Sequence, residues 1–230
     1  MKKLFSILSV SLVILCSLLA GCGNNDLDRI QKSPLWDNAT VKNNPIQIAD
    51  IFIVPTDTVG DIYEKTQQSS LDWTWENDMD ELENGDTYIN VYLNGTPWIE
   101  FSCISYSGTK KLRDCNTHNV FPANEKALKH SWFMDGRTYD DILNMTYDDV
   151  KDLKDTFFAD PEREYIVTES ETDENDNALQ YVDKPFDRLK IRYEPEVDLF
   201  DKEEYQTYQT YVFYVDKKTS KVIDFKMNHY

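Results

Sequence analysis

The sequence predicts an α+β fold built from two tandem units, each a short helix packed on a three- to four-stranded antiparallel sheet. Two observations support this prediction. A helix-start pattern, Thr-x-x-Asp followed by a β-branched apolar residue, occurs at Thr58 and again at Thr146. Downstream of each helix start, apolar and polar residues alternate along paired segments, as half-buried antiparallel strands require. The repeated order of helix and hairpin indicates a duplicated unit.

Both threonines are predicted helix N-caps. A threonine hydroxyl accepts from an N–H of the first turn, and an acid three residues later favours the positive end of the helix dipole. Residues at helical spacing then give each helix one mainly apolar stripe. The stripes are Val59, Ile62, Tyr63 and Thr66 in the first helix, and Tyr147, Val150, Leu153, Lys154 and Phe157 in the second.

Each helix is followed by a predicted hairpin. The strand pairs are residues 88–93 with 98–104, turning at Asn94-Gly95, and residues 208–215 with 222–227. Residues 99–101 and 223–225 share the order apolar, acid, apolar, and we match these two strands to each other. The second helix-to-hairpin distance is longer, which indicates an insertion.

The first unit is predicted over residues 46–122 and the second over 123–230. The insertion is placed near 161–195, as two extra strands separated by an exposed acidic loop at 169–177. This loop offers alternating oxygen side chains, as calcium loops do. Ala178 and Lys184, however, stand where an EF-hand needs glycine and glutamate, so we expect a solvated loop.

The Thr-x-x-Asp helix start with its strand–turn–strand ending resembles the tandem units of β-lactamase-inhibitor-protein-like folds. Small envelope lipoproteins of the BamE/SmpA type share these folds, and the resemblance covers roughly residues 46–230. It implies that the protein binds a protein or peptide on a sheet surface. It carries over no catalytic residue.

The chain begins with a pattern typical of an exported protein. Two lysines precede an apolar run over residues 4–19, which serines interrupt and which is too short for a spanning helix. Leu19-Ala20-Gly21-Cys22 follows and resembles the lipobox of bacterial lipoproteins. The resemblance implies that residues 1–21 are a signal peptide and that Cys22 becomes a diacylglyceryl-modified N-terminus. Two acyl chains anchor a protein stably, so we expect a membrane-bound domain facing outside the cytoplasm.

Residues 22–45 are predicted to be the lipidated N-terminus and a flexible linker, because apolar side chains are few and no period is sustained. Leu35 and Trp36 are the exceptions. They form either a small hydrophobic contact onto the domain or a partner-binding peptide.

Charge excludes some partners. The chain has 42 acidic and 24 basic side chains and a formal net charge of −18. Loss of two lysines with the signal peptide makes the mature chain still more acidic. Such a charge disfavours nucleic acid and anionic lipid headgroups.

Catalytic and metal-binding signatures are absent from the sequence. The three histidines, His118, His130 and His229, have no ligand partners at zinc-site spacing and are predicted to be surface residues. The sequence contains no nucleophile elbow and no phosphate loop. We therefore predict no metal, no cofactor and no enzymatic activity.

Two cysteines remain once the signal peptide and the lipidated residue are set aside. Cys103 and Cys115 flank a turn-like segment, and a symmetric hairpin would place them opposite each other. Export permits a disulfide, and two free thiols are the alternative.

Aromatic residues are the remaining candidate binding groups. In the first unit these are Trp73, Trp75, Tyr88, Tyr92 and Trp98. Exposed aromatics on a rigid sheet anchor peptides or sugars, whereas cross-strand packing uses the same residues.

The sequence thus predicts a membrane-anchored lipoprotein with a non-catalytic, protein- or peptide-binding domain. Two alternatives remain open. One is a lipoprotein that binds a small molecule or a glycan, and the other is a cell-wall hydrolase.

Overall fold

The computed structural model describes residues 27, 30–40, 45–83, 85–105, 109–160, 164–173, 175–176, 187–196 and 209–229. Cys22 and the predicted signal peptide lie outside these residues. Every described strand and α-helix belongs to residues 32–230, which form one compact unit. Within the described ranges, no helix is long and apolar enough to cross a membrane. The α+β prediction is confirmed, and the fold is rich in antiparallel sheet.

Short strands alternate with short helices along the chain. The strands are β1 (Ile46–Ile48), β2 (Ile51–Ile53), β3 (Trp73–Trp75), β4 (Leu82–Glu83), β5 (Asp86–Leu93), β6 (Thr96–Ile104), β7 (Lys110–Lys111), β8 (Asn116–Pro122), β9 (Ser131–Phe133), β10 (Arg137–Thr138), β11 (Tyr165–Thr172), β12 (Arg188–Pro195), β13 (Gln209–Asp216) and β14 (Val222–His229). The α-helices are α1 (Val59–Gln68), α2 (Glu125–Lys129), α3 (Tyr139–Leu143) and α4 (Tyr147–Asp152). The 3-10 turns whose bounds the structure describes are Pro34–Asn38, Leu112–Asp114, Met134–Gly136 and Leu153–Asp155.

Three of these helices begin at a capping box. Thr58 Oγ1 accepts from the backbone N–H of Asp61 at 3.2 Å, and the Asp61 carboxylate accepts from the Thr58 N–H at 2.8 Å. Thr138 and Thr146 begin α3 and α4 in the same way. The predicted helix starts at Thr58 and Thr146 are confirmed. Helix α4 is shorter than its apolar stripe predicted, because the chain tightens into a 3-10 turn at its end.

Two four-stranded antiparallel sheets, β3-β5-β6-β8 and β11-β12-β13-β14, make up most of the fold. A third four-stranded sheet, in the order β10-β9-β1-β2, joins strands that precede α1 to strands that precede α3. The predicted hairpin at Asn94-Gly95 is confirmed as β5 and β6. Both turn residues have positive φ (52° and 72°), which a tight turn of this kind requires. The second predicted hairpin is confirmed as β13 and β14.

Three positions differ from the sequence-based expectation. Residues 169–172, predicted as loop, belong to β11, because each of them pairs with a residue of β12, over residues 188–191. Strands β11 and β12 are the first two strands of a four-stranded sheet. The match of residues 99–101 with 223–225 is wrong, since the first lie in the third strand of one sheet and the second in the fourth strand of the other.

The prediction of surface histidines is wrong for His118. His118 is only 4% exposed, because its strand β8 pairs with β6 and also contacts β14. His130 is half-buried against the Trp98 ring, at 5.9 Å between ring centroids. The His229 side chain lies outside the described part of the structure.

An aromatic cluster fills the space between α4 and the β11–β14 sheet. Phe158 stacks on Tyr193 with ring centroids 4.1 Å apart and also contacts Tyr165 and Tyr211. The Tyr193 hydroxyl donates to the Val150 carbonyl of α4 at 2.6 Å, which ties the helix to the sheet. Burial raises the pKa of Tyr193 to about 12.

Strands β11 and β2 are two of the edge strands that, among the described residues, pair on one side only. Strand β11 is an eight-residue edge whose exposed Glu169 and Glu171 form ion pairs with Lys151 and Lys217. Strand β2 is a three-residue edge. Charged side chains and short length are two ways in which proteins guard such edges.

Candidate functional site

The five aromatics predicted as binding groups divide into two sets. Trp73 and Trp98 are buried and form an edge-to-face pair with ring centroids 6.4 Å apart. Trp75 packs between helix and sheet, where its indole N–H donates to Thr66 Oγ1 at 2.9 Å. Tyr88 is 76% exposed and Tyr92 is half-buried on the outer face of β5. Trp73 and Trp98 therefore serve packing, Trp75 packs but stays half-buried, and the two tyrosines face solvent.

The two cysteines meet in the core. Cys103 lies opposite Thr117 and not opposite Cys115, because the 3-10 turn at Leu112–Asp114 interrupts the symmetric hairpin that we expected. The two side chains are separate thiols, Cys115 Sγ donates to the Lys111 carbonyl at 3.5 Å, and both residues are fully buried. Burial raises the pKa of Cys103 to about 12 and also raises the pKa of Cys115.

An open groove of about 720 Å³ lies beside β2, and we call it the β2 groove. One wall is the 3-10 turn Pro34–Asn38 with the residues that follow it. The opposite wall is the C-terminal half of α1. Its lining residues are Leu35, Asn38, Ala39, Pro45, Asp50, Ile51, Phe52, Val54, Lys65, Gln68, Ser69 and Ser70.

Gln47 holds the first wall against the β1–β2 hairpin. Its side-chain oxygen accepts from the Ser33 N–H at 2.8 Å and from the Trp36 indole N–H at 3.1 Å, while its Nε2 donates to the Ala49 carbonyl. Trp36 is 5% exposed and packs edge-to-face on Phe52. The predicted hydrophobic contact of this segment onto the domain is confirmed for Trp36. Its neighbour Leu35 is 56% exposed and lines the groove.

The second wall is held by an ion pair beneath α1. Lys65 pairs with Asp57, whose carboxylate also accepts from the Val54 N–H at 2.9 Å and closes the turn after β2. Burial raises the pKa of Asp57, although the Lys65 ammonium opposes this effect. The positive charge of Lys65 is therefore neutralised where it reaches the groove.

Asp50 is the anion of the groove. It lies in the two-residue turn between β1 and β2, and its side chain accepts from Ser69 Oγ at 2.6 Å and from the Trp73 indole N–H at 3.2 Å. Both donors are neutral groups, so they orient the carboxylate and leave its charge uncompensated. The last turn of α1 ends at the same place, at Gln68.

The floor of the groove is the open edge of β2. Ile48 and Ile51 flank the two-residue turn and form a hydrogen-bonded pair. The next pair, Gln47 with Phe52, is therefore a non-hydrogen-bonded pair. The backbone groups of Gln47 point instead toward β9, where Trp132 is the partner. By the same alternation, the N–H and C=O of Phe52 point toward the groove.

No protein-family model, curated protein or solved structure matches this chain. The site must be interpreted from its own geometry. Within the described residues, no group of three or more His, Cys, Asp or Glu side chains could hold a metal ion. What the groove presents is an apolar wall, one oriented carboxylate and a pair of outward backbone groups.

Sequence reasoning missed this site, although a signal for its floor exists. Residues 46–53 read Ile-Gln-Ile-Ala-Asp-Ile-Phe-Ile, which is two short β-branched runs separated by two residues. That spacing is typical of a tight hairpin. The turn lacks the glycine that normally marks it, and Ala49 adopts a positive φ of 53° there.

Proposed function

We propose that this chain is a lipid-anchored, extracytoplasmic, non-catalytic protein that binds a protein or peptide partner in the β2 groove. The observation that carries the proposal is the open edge of β2 between two ordered walls. An exposed strand edge in a groove is a common way to bind an extended peptide, because main-chain hydrogen bonds supply affinity and wall contacts supply specificity. The groove volume of about 720 Å³ suits a short segment of chain.

A tandem origin of the two large sheets is part of the proposal. Thr58 pairs with Asn116, the first residue of β8. Thr146 pairs with Lys221, the residue before β14. Each helix cap is thus joined to the start of the fourth strand of its sheet. The repeated bridge supports two units of helix and four-stranded sheet, with β11 and β12 as regular members of the second.

The lining of the groove favours binding over hydrolysis. Glycoside hydrolysis by the common mechanism needs two carboxyl groups flanking the scissile bond. Asp50 is the single carboxylate residue among the described residues that line the β2 groove. The cell-wall hydrolase alternative therefore has no carboxylate pair in this groove to support it.

The anchor is tested at Cys22. In a bacterial host that processes lipoproteins, the wild-type chain should incorporate an azide-bearing fatty acid and partition with membranes. Cys22→Ser should lose the label, because the substituted side chain has no thiol to receive the diacylglyceryl group. Equal labelling of the two chains would refute lipidation at this residue.

Partner binding is tested by site-specific photo-cross-linking on intact cells. A benzoylphenylalanine at Leu35, which is exposed and lines the groove, should give a discrete cross-linked product. The matched control places the same group at Tyr88, which is exposed on the outer face of β5. An identical product pattern from both positions, or none from Leu35, would contradict binding in the β2 groove.

A glycan is the second candidate ligand, and a different cleft favours it. The residues that line this cleft, of about 410 Å³, include Tyr63 and Trp75 together with Gln67, Asn77 and Asp78. Aromatic faces beside amides and carboxylates suit a sugar ring. Titration with chitotetraose should shift tryptophan fluorescence in the wild type and not in Asn77→Ala. An unchanged emission spectrum at millimolar sugar would remove this candidate.

A further inference from the structure

We infer that the β2 groove binds its peptide as an added strand and holds a lysine or arginine side chain of that peptide on Asp50. This inference rests on the proposed peptide-binding function and specifies its recognition chemistry. The occupant is a basic, extended segment of a partner protein. It would extend the sheet order β10-β9-β1-β2 by one strand.

The backbone contribution comes from Phe52. Its N–H and C=O point into the groove, so one residue of an extended peptide can bond to both. The 3-10 wall packs through Trp36 on the Phe52 ring, whereas α1 contacts β2 and forms the other wall of the groove. An added strand therefore runs between the two walls, with alternate side chains directed to each.

Alternation fixes which side chain reaches which wall. The peptide residue opposite Phe52 directs its side chain to the wall that carries Leu35, and an apolar residue fits there. The next residue along the peptide points to the α1 side. Asp50 belongs to that side, because its carboxylate bonds to Ser69 after α1 and to Trp73.

The groove is negatively charged beside this second peptide residue and therefore favours a cationic side chain there. Asp50 receives hydrogen bonds from two neutral donors, and its negative charge is not compensated by either of them. The C-terminal end of α1, at Gln68, adds the negative end of a helix dipole. Among the described residues that line the groove, Lys65 is the one cation, and Asp57 neutralises it. An ammonium or guanidinium group is therefore attracted, and a carboxylate is repelled.

The net charge of the whole chain also favours a cationic ligand. With a net charge of −18, the protein attracts cationic segments over a distance and repels acidic ones. The recognised pattern is consequently an apolar residue next to a lysine or arginine within an extended segment. No sequence beyond these two positions follows from the groove.

The test uses fluorescein-labelled, capped heptapeptide libraries with a central leucine and one fixed neighbour. The fixed neighbour is lysine, arginine, norleucine, glutamine or glutamate, and binding to the full-length chain is measured by fluorescence anisotropy. Lysine and arginine libraries should bind roughly tenfold more tightly than the norleucine library, as one charge-assisted hydrogen bond would give. Methylation of the central leucine nitrogen should weaken every library, because it blocks addition to β2.

Two protein variants complete the design. Asp50→Asn keeps the side-chain shape and can still bond to Trp73 and Ser69, so it should fold and lose the preference for lysine and arginine. Asp86→Asn neutralises an exposed aspartate at the start of β5, remote from the groove lining, and should keep that preference.

The outcomes separate the two proposals. Equal binding of lysine and norleucine libraries, with sensitivity to methylation intact, would overturn the role of Asp50 and leave peptide binding standing. A basic preference that persists in Asp50→Asn would also overturn it. Absence of binding by all five libraries, together with no cross-link from Leu35, would overturn the inference and the proposed function together.

Discussion

Threonine followed by aspartate at the fourth position sets the start of three helices. Thr58 and Thr146 were recognised because an apolar stripe follows each of them in the sequence. Thr138 was missed, although Thr138-Tyr139-Asp140-Asp141-Ile142 repeats the pattern, because α3 has only five residues and shows no stripe. A residue-level signal is therefore readable where the local hydrogen bonds alone decide the structure.

Removal of the Thr146 hydroxyl should destabilise the fold. Thr146→Ala leaves the Asp149 N–H without its side-chain acceptor and should lower the free energy of unfolding by about 1 kcal/mol. Urea denaturation is the measurement. Thr146→Ser keeps the hydroxyl and serves as the control. Equal losses in the two variants would show that the methyl group and not the cap matters.

The acid of the same capping box predicts a pH dependence. The backbone N–H of Thr146 and then its hydroxyl lower the pKa of Asp149 below the ordinary value of 3.8. Between the two pKa values the unfolded chain binds more protons, so this contribution to stability is present above pH 3.8 and is lost as the pH falls. The stability difference between the wild type and Asp149→Asn should shrink from about pH 6 to about pH 3. A constant difference would contradict the shift.

At the scale of elements, hairpins with a strong turn signal were predictable and strand equivalence was not. Asn94-Gly95 fixes one turn, because both residues tolerate positive φ. Matching strands between the two large sheets failed, since every half-buried strand has the same alternation of apolar and polar residues. The partner of a strand depends on contacts distant in sequence, which periodicity does not contain.

The burial of Cys103 and Cys115 beside the first large sheet can be tested by alkylation. Both thiols are buried and burial raises the pKa of each, so reduced, folded protein should resist iodoacetamide at about pH 8, whereas urea should expose both thiols. Mass spectrometry counts the added groups. Rapid alkylation without denaturant would contradict burial of the pair.

The disulfide between Cys103 and Cys115 remains a prediction, which depends on the export that we propose. Cys115 lies two residues before Thr117, which pairs with Cys103, so oxidation during folding starts from neighbouring positions. A bridge closing a loop of this length should add about 3 kcal/mol to the free energy of unfolding in the chain-entropy model. Comparison of urea midpoints with and without reductant measures it. Identical midpoints would argue for two thiols.

At the scale of the whole molecule, the β10-β9-β1-β2 sheet binds together the segments that precede the two large sheets. Ile48 of β1 is fully buried and pairs with Ser131 of β9. Ile48→Ala should cost about 2–5 kcal/mol through the cavity it leaves. Hydrogen exchange should accelerate in β5–β6 and in β12–β13 alike. Acceleration confined to one sheet would contradict cooperative unfolding.

A matched control for this prediction is Ile166→Ala. Ile166 lies on edge strand β11 and is 48% exposed, so its truncation creates no closed cavity. The loss of stability should be much smaller than for Ile48→Ala. The comparison separates the cavity from a general loss of strand propensity.

The β2 groove shows why the site lay beyond sequence reasoning. Leu35, Asp50 and Lys65 come from a 3-10 turn, a hairpin turn and a helix, and none of them belongs to a recognisable motif. The groove exists because Gln47 and Asp57 fix separate segments beside one strand edge. Local patterns identified some of these elements, whereas their convergence depends on tertiary packing.

The short length of β2 also bears on self-association. An open strand edge can recruit the same edge of another chain and start aggregation, and a membrane tether of the kind we propose would crowd such edges together. Three residues between two walls admit a single narrow strand but give a folded sheet too little length to dock. If the β2 groove binds a peptide as we propose, the same recess would also keep the β2 edges of neighbouring copies apart.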